Sequence, residues 1–347
     1  MSQICLSFGN KVKESRNERG LTQEELASNI GIERAQLSKI ESGSVDPRLS
    51  TAIKLIKSLN IDTNEFINST NNNIHPFVKR AGGKTQLLDK IIELMPKDYN
   101  DYYEPFVGGG ALFFKVKPRK PHINDVNSEL MAAFACFKSK KKFEELKTLL
   151  MDYEAQHSEE KYLYIRSLDR SPDWTKASDS QKAARMIYLN KACFNGLYRV
   201  NSNGFFNVPS GKKERVHAYD ELNYLGIYEY FKESKPEVSS KDFVNAVSKA
   251  KENDFVYFDP PYDSIGDKNG FVNYAKEGFT KDDQVRLADC FKQLSSRGVK
   301  VMLSNHNTKF INELYKGFNI HVVKARRNIN SKGDGRGEVE EVIITNY

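Results

Sequence analysis

At 347 residues the chain is long enough for about two domains, each with a core of its own, and its composition is that of an ordinary globular protein. A net charge of +7 and a pI near 8.9 favour an anionic partner, nucleic acid first, and stop well short of a histone-like tail. No run of about 18 apolar residues and no signal-peptide pattern occurs, so no membrane contact is expected and a cytoplasmic, nucleoid-associated place is; Cys5, Cys136, Cys193 and Cys290 and the six histidines are too scattered for a zinc site or a disulfide scaffold, and no metal is expected.

Residues 1–67 read as five short helices without strands, punctuated by Gly20, Gly31 and Gly43. Thr22 caps a helix running through Ala27, and Glu25 three residues on completes a capping box. Gly31 makes the turn, and a second helix over 33–42 buries Leu37 and Ile40 and stops at Gly43. The pattern Leu21-Thr22-Gln23-Glu24-Glu25-Leu26-Ala27, Gly31-Ile32, Leu37-Ser38-Lys39-Ile40-Glu41-Ser42-Gly43 resembles the Cro/C1 (XRE) family of helix-turn-helix domains. The resemblance implies a second helix lying in the major groove of DNA, with Arg34, Gln36, Ser38 and Lys39 as its contacts and with dimerisation on DNA. The competing view is a solvated helix face, because residues 1–70 carry nine basic and nine acidic side chains and can attract phosphate only locally.

Residues 68–75, with the polar run Asn68-Ser69-Thr70-Asn71-Asn72-Asn73, read as a linker. Residues 76–347 form the second domain, which carries the whole basic excess. Gly83-Lys84-Thr85 mimics the end of a P-loop, but Val78 stands where that motif needs glycine and no apolar strand precedes it, so an ATPase is a poor reading. Gly82-Gly83 still lets backbone approach a ligand closely, with Lys84 as a cation beside it. In Tyr102-Tyr103-Glu104-Pro105-Phe106-Val107-Gly108-Gly109-Gly110, a short strand runs into a nucleotide-type glycine turn; Phe113 stands where a dinucleotide fold has its third glycine, which disfavours NAD. The next strand, Pro121 to Asn124, ends at Asp125, placed to bind ribose hydroxyls.

Phe255-Val256-Tyr257-Phe258 is an apolar β-type run that stops at Asp259-Pro260-Pro261-Tyr262. Two prolines fix two φ angles and remove two donors, so the corner is rigid and accepts hydrogen bonds, with Tyr262 as a stacking face. Such a corner suits a planar exocyclic amine, the alternative being an ordinary strand-end turn. His306, beside a candidate sheet edge, is not read as catalytic.

Arg80-Ala81-Gly82-Gly83-Lys84, Glu104-Pro105-Phe106-Val107-Gly108-Gly109-Gly110, Asn124-Asp125-Val126-Asn127 and Asp259-Pro260-Pro261-Tyr262, in this order, resemble the alpha group of Dam/DpnM DNA adenine methyltransferases. The resemblance runs from about Pro76 to the C-terminus. It implies an α/β, Rossmann-like methyltransferase sheet with a mainly helical target-recognition insert at about 127–235, preceded by the all-α helix-turn-helix domain. It further implies a monomeric methyltransferase acting on double-stranded DNA with S-adenosyl-L-methionine as cofactor. Cofactor contacts would fall at Arg80, Lys84, Asp125 and Asp259, around the turn carrying Glu104, Phe106, Gly108 and Gly110; Asp242 and Phe243 resemble the strand-end pair that holds the cofactor adenine. Arg80 departs from the tryptophan often found there, so stacking would use a guanidinium plane. The target adenine would flip onto Asp259, Pro260, Pro261 and Tyr262.

Asn195-Gly196-Leu197-Tyr198-Arg199-Val200-Asn201 and Gly204-Phe205-Phe206-Asn207-Val208-Pro209 look like the family's DNA-contacting segment. Lys79, Leu197 and Arg199 match its readers of GATC, Asn195 and Asn201 fall in the same segment, and Phe194 is a candidate wedge into the base stack. Arg336, in the glycine-rich loop Ser331-Lys332-Gly333-Asp334-Gly335-Arg336-Gly337 between two strands, is a further DNA contact. Two rivals stand beside this reading: a nuclease, suggested by Asp125 with Glu145-Leu146-Lys147 and discounted because 140–150 reads as a helix, and a transcriptional repressor with an inactive methyltransferase domain.

Overall fold

In the computed structural model, helices Gln3–Glu18, Gln23–Ile30, Arg34–Glu41 and Leu49–Leu59 pack Phe8, Val12, Leu26, Leu37, Ile40, Leu55 and Leu59 into one core. The structure describes residues 3–63, 74–79, 85–264, 278–326 and 338–347, and the chain divides into two units, 1–74 and 75–347. The linker run Asn68-Ser69-Thr70-Asn71-Asn72-Asn73 lies outside the described residues.

Thr22 caps the second helix by accepting from the Glu25 N–H at 3.2 Å, while the Glu25 carboxylate accepts from the Thr22 N–H at 2.8 Å. The first helix is sixteen residues long, not short as expected, and it crosses the third so closely that a Cβ at Gly9 would run into the Ile40 carbonyl. That crossing brings together Arg16 and Glu41, 8% and 3% exposed, in a two-pronged ion pair of 2.6 and 3.1 Å. Gln23 donates to the same carboxylate at 2.8 Å, so one buried charge pair ties the first three helices together.

The second unit is built on a seven-stranded sheet: β1 Tyr102–Glu104, β2 Pro121–Asn124, β3 Glu237–Ser239, β4 Phe255–Phe258, β5 Lys300–His306, β6 Asn319–Arg326 and β7 Glu338–Thr345. Their spatial order is β3-β2-β1-β4-β5-β7-β6. The first five are parallel and β7 runs antiparallel between β5 and β6. A central parallel strand is covered on both faces, which is why β4 is apolar at every position and buried throughout. The helix Lys281–Ser296 lays Leu287, Ala288, Phe291 and Leu294 against Val256, Phe258, Val301 and Leu303 of β4 and β5. Phe291 is fully buried there, and its truncation to alanine would cost about 3–5 kcal/mol.

Between β2 and β3 the chain makes a helical excursion through Ser128–Cys136, Lys140–Ala155, Glu159–Ser167, Asp179–Ala192 and Glu221–Ser234. The helix Asp179–Ala192 is buried on nearly every face, and even its Arg185 is enclosed, paired to Asp169 at 2.5 Å and Glu129 at 2.9 Å. Glu145, half of the nuclease-like pattern, sits on Lys140–Ala155 and accepts from Ser180 at 3.1 Å. Among the described residues no helix is long and apolar enough to cross a membrane.

Candidate active site

The order of the sheet reverses between β1 and β4, and in open α/β sheets the carboxyl ends of the strands part at such a point and leave a crevice. Glu104 ends β1 there, Asp125 follows β2, and Asp259 follows β4. The Glu104 carboxylate is buried and accepts from the Tyr102 hydroxyl at 2.6 Å. Burial first, then Glu104 itself, holds the Tyr102 phenol well above its ordinary range, so it stays a donor.

After Glu104 the chain turns through Gly108 and Gly110, both at positive φ, before the helix Ala111–Val116. A Cβ on Gly110 would meet the Phe114 ring at 3.0 Å, and one on Gly109 would lie 3.4 Å from the Val78 carbonyl. The turn is glycine because aromatic core closes on one side and the segment 76–78 on the other. Asp125 accepts from the Gly108 N–H at 3.1 Å and from the Asn127 N–H at 3.0 Å, so its buried carboxylate shapes the turn as well as facing it.

Asn124, which the sequence reading placed at the end of a strand and in the Asn124-Asp125-Val126-Asn127 motif without a role of its own, is the hub of this edge. Its Nδ2 donates to the carbonyls of Pro105 at 3.1 Å and Lys241 at 2.9 Å. Its Oδ1 accepts from the Lys241 N–H and the Ser239 hydroxyl, each at 2.8 Å. The loops after β1 and β3 are thereby set beside each other, and they bring Phe106 and Phe243 to 5.4 Å, with Phe279 at 5.8 and 5.9 Å from the two. Phe279 was missed from sequence because it lies far along the chain from either partner. Asp242 caps the short helix Phe243–Ala246 through the Val244 N–H at 3.0 Å and pairs with Arg286 at 2.9 Å, whose guanidinium lies 5.0 Å from the centre of the Phe243 ring.

Asp259 is half-buried at the mouth of the crevice, and the corner after it is braced from behind. Gln284 donates to the Pro261 carbonyl at 2.8 Å and accepts from Asn305 at 3.1 Å, whose Oδ1 in turn accepts from the Asp263 N–H at 2.9 Å. His306 donates from Nδ1 to the Asp263 carbonyl at 2.5 Å and stands edge-on to the Tyr262 ring at 4.9 Å, bracing the corner. The Tyr257 and Tyr262 phenols are held well above their ordinary range, chiefly by burial and then by the Asp259 charge, so neither ionises near neutral pH.

On the helical side, Lys79 and Phe194 are exposed, and Lys79 meets the turn Phe194–Gly196: a Cβ on Gly196 would lie 3.0 Å from that of Lys79. Asn195 takes a left-handed φ of 54°, and Leu197 is half-buried behind it. Arg199 leans on Asn207, donating from Nε at 2.8 Å and from Nη2 at 3.3 Å. Asn201 closes the tip of the same hairpin by accepting from the N–H groups of Asn203 and Phe205, each at 3.0 Å. Arg34, Gln36, Ser38 and Lys39 are exposed on the helix Arg34–Glu41 of the other unit. Arg80, Lys84 and Arg336 lie outside the described residues.

A mixed α/β sheet that reverses beside a glycine turn, with a proline-rich corner ending the neighbouring strand β4, is consistent with a methyltransferase fold. Comparison with known proteins makes this particular: residues 81–329 match the model of the D12 class N6 adenine-specific DNA methyltransferases, and the chain belongs to that family. Residues 12–66 match a helix-turn-helix family. The chain is 47% identical over 275 residues to the type II methyltransferase M1.LlaDCHI of Lactococcus lactis subsp. cremoris, covering 79% of this chain and 96% of the relative. It is 39% identical over 290 residues to the type II methyltransferase M.MjaIII of Methanocaldococcus jannaschii, covering 79% and 99%. It is 31% identical over 270 residues to the DNA adenine methylase of Escherichia coli K12, covering 77% and 93%. The protein is therefore an adenine-specific DNA methyltransferase with an N-terminal helix-turn-helix domain.

Proposed function

We propose that the chain methylates the exocyclic amine of an adenine flipped out of double-stranded GATC sites, using S-adenosylmethionine, as the monomeric modification enzyme of a restriction-modification system. The observation that carries this reading is the Asp259-Pro260-Pro261-Tyr262 corner, set on the strand beside the glycine turn and braced by Gln284 and Asn305. The intact corner also disfavours an inactive methyltransferase domain.

The residues lining the edge fit the cofactor: Phe106, Phe243 and Phe279 offer ring faces for a nucleobase, and Asp125 a buried carboxylate for ribose hydroxyls. When bound, S-adenosylmethionine supplies a methyl group already activated on a sulfonium. The protein's part is positioning, which can supply roughly 7–11 kcal/mol of the barrier. The Asp259 carboxylate and the Pro260 carbonyl accept from the adenine amine and localise its lone pair, and Asp259 favours the cation that develops. Tyr262 stacks on the extruded base and offsets part of an unstacking cost of about a few kcal/mol. Asp259→Ala should keep most DNA binding and lose at least about a hundredfold in methyl transfer; near-normal turnover would sink the assignment.

The helical excursion is the target-recognition subdomain in this reading, with Lys79, Leu197 and Arg199 at the bases and Phe194 as wedge. Asn207 occupies one flank of the Arg199 guanidinium and turns the other toward a guanine edge. Methylation mapping on plasmid DNA tests the site, and one lacking guanine would refute the Arg199 role. The helix-turn-helix domain would bind a second site, the operator of its own operon, as a dimer on half-sites one helical turn apart. Its balanced charge favours a second reading, a protein-docking module. Deleting residues 1–70 should leave GATC methylation intact and remove second-site binding; absence of any preferred site other than GATC in the full chain at low salt would leave the docking reading standing.

A further inference from the structure

We propose that Asn190 is the positioning residue that locks the two base-reading segments into one surface, and so sets how strictly the enzyme discriminates its site. The inference rests on the reading of Lys79, Leu197 and Arg199 as base contacts given above.

Asn190 stands in the last turn of the helix Asp179–Ala192 and is 3% exposed. Its Nδ2 donates to the Lys79 carbonyl at 2.8 Å and to the Gly196 carbonyl at 2.9 Å. Its Oδ1 accepts from the Lys79 N–H at 2.6 Å. The main chain of Lys79 is thus gripped at both its donor and its acceptor, as a neighbouring strand would grip it, by a side chain 111 residues further along. The same planar group then reaches Gly196, inside the turn that carries Phe194 and Asn195. Two donors and an acceptor at that length are what an asparagine amide offers; aspartate has no donor and leucine has neither.

What the grip holds is mostly outward-facing. Lys79 and Asn195 are exposed and Phe194 is 52% exposed, while Phe77 and Val78 just before Lys79 are buried and anchor that segment in the core. The segment before Lys79 lies against the glycine turn at Gly109, which ties the reading surface to the floor of the crevice through the same contact chain. Loss of the amide would let the two reading segments shift relative to each other and to the reacting base, and displacements of about 1 Å are costly where geometry selects the transition state.

The test is competitive methylation, in one tube, of duplexes carrying the mapped site or the same site with one base changed, by full-length Asn190→Asp and Asn190→Ala. The ratio of the two rates reads only molecules that turn over, so partial misfolding does not enter it. We expect discrimination to fall about tenfold or more in both variants, by a larger factor than kcat on the mapped site. An unchanged ratio, or equal slowing at every site, overturns the proposal. Lys79→Ala and Arg199→Ala run alongside. If they lower the ratio and the Asn190 variants do not, Asn190 alone has lost its role. If they leave it untouched, the base-contact reading has failed and this inference with it.

Discussion

Asn124→Leu removes four hydrogen bonds at the carboxyl edge of β2 while nearly keeping the side chain's volume. The groups it abandons differ in what they can do next. Lys241 is exposed and Ser239 half-buried, so water replaces the asparagine for both, whereas the Pro105 carbonyl belongs to a buried residue. A stranded buried acceptor costs about 1–3 kcal/mol, and the remaining bonds about 1 kcal/mol net, giving a destabilisation of about 2–4 kcal/mol. For a unit of this size that is a fall in melting temperature of roughly 4–16 °C. The same change releases Phe106 from Phe243, so the KM for S-adenosylmethionine should rise several-fold while the KM for DNA moves little. Differential scanning calorimetry and cofactor titration read the two effects. A variant with wild-type melting and wild-type cofactor KM would refute the assignment of Asn124 as the hub of the edge.

Glu41→Gln should cost about 3 kcal/mol in the helix-turn-helix unit, the low end for breaking a buried pair, since the amide oxygen still accepts one bond from Arg16. Hydrogen exchange in helices Gln3–Glu18 and Arg34–Glu41 of the full chain should accelerate with methylation unchanged; loss of methylation would contradict the independence of the two functions. The pair His75 and Asp220, 3.5 Å apart, should give the second unit a pH dependence. Asp220, more than any other cause, raises the His75 imidazole above its ordinary 6.5, so its stabilisation is full below that pH and lost as pH climbs through the raised value. His75 in turn lowers Asp220 below 3.8, so that contribution fades only in acid. His75→Gln should flatten the melting temperature as pH rises above about 6.5, and an unchanged slope would place the titration elsewhere.

What could be read in advance was local. β2 and β4 fell within their expected bounds because an aspartate closes each, after an apolar run in β4, and the Thr22 capping box because its partners are three residues apart. The sequence reads as a strand from His321 to Asn328, but β6 begins at Asn319, two residues earlier, because a polar first residue held by the Tyr347 carbonyl carries no alternation signal. Asn124, Asn190, Gln284 and Asn305 escaped because a buried amide is known by its partners, and these lie up to 117 residues away. The pairing of Arg16 with Glu41 went unread for the same reason, and Asp242, a candidate cofactor contact, also holds Arg286 and a helix start.

The long helical excursion has a consequence for how the enzyme comes together. β3 is three residues long, lies at the sheet's edge, and finds β2 only after the chain has travelled from Asn124 to Glu237. A three-residue ladder at an edge contributes little by itself, so the docking of β3 depends on the side chains that brace it. The wall that carries Asp242 and Phe243 therefore hangs on a short edge ladder, with Asn124 as its latch. A ligand wedged between Phe106 and Phe243 would act as a second latch and stabilise the docking of β3 on β2.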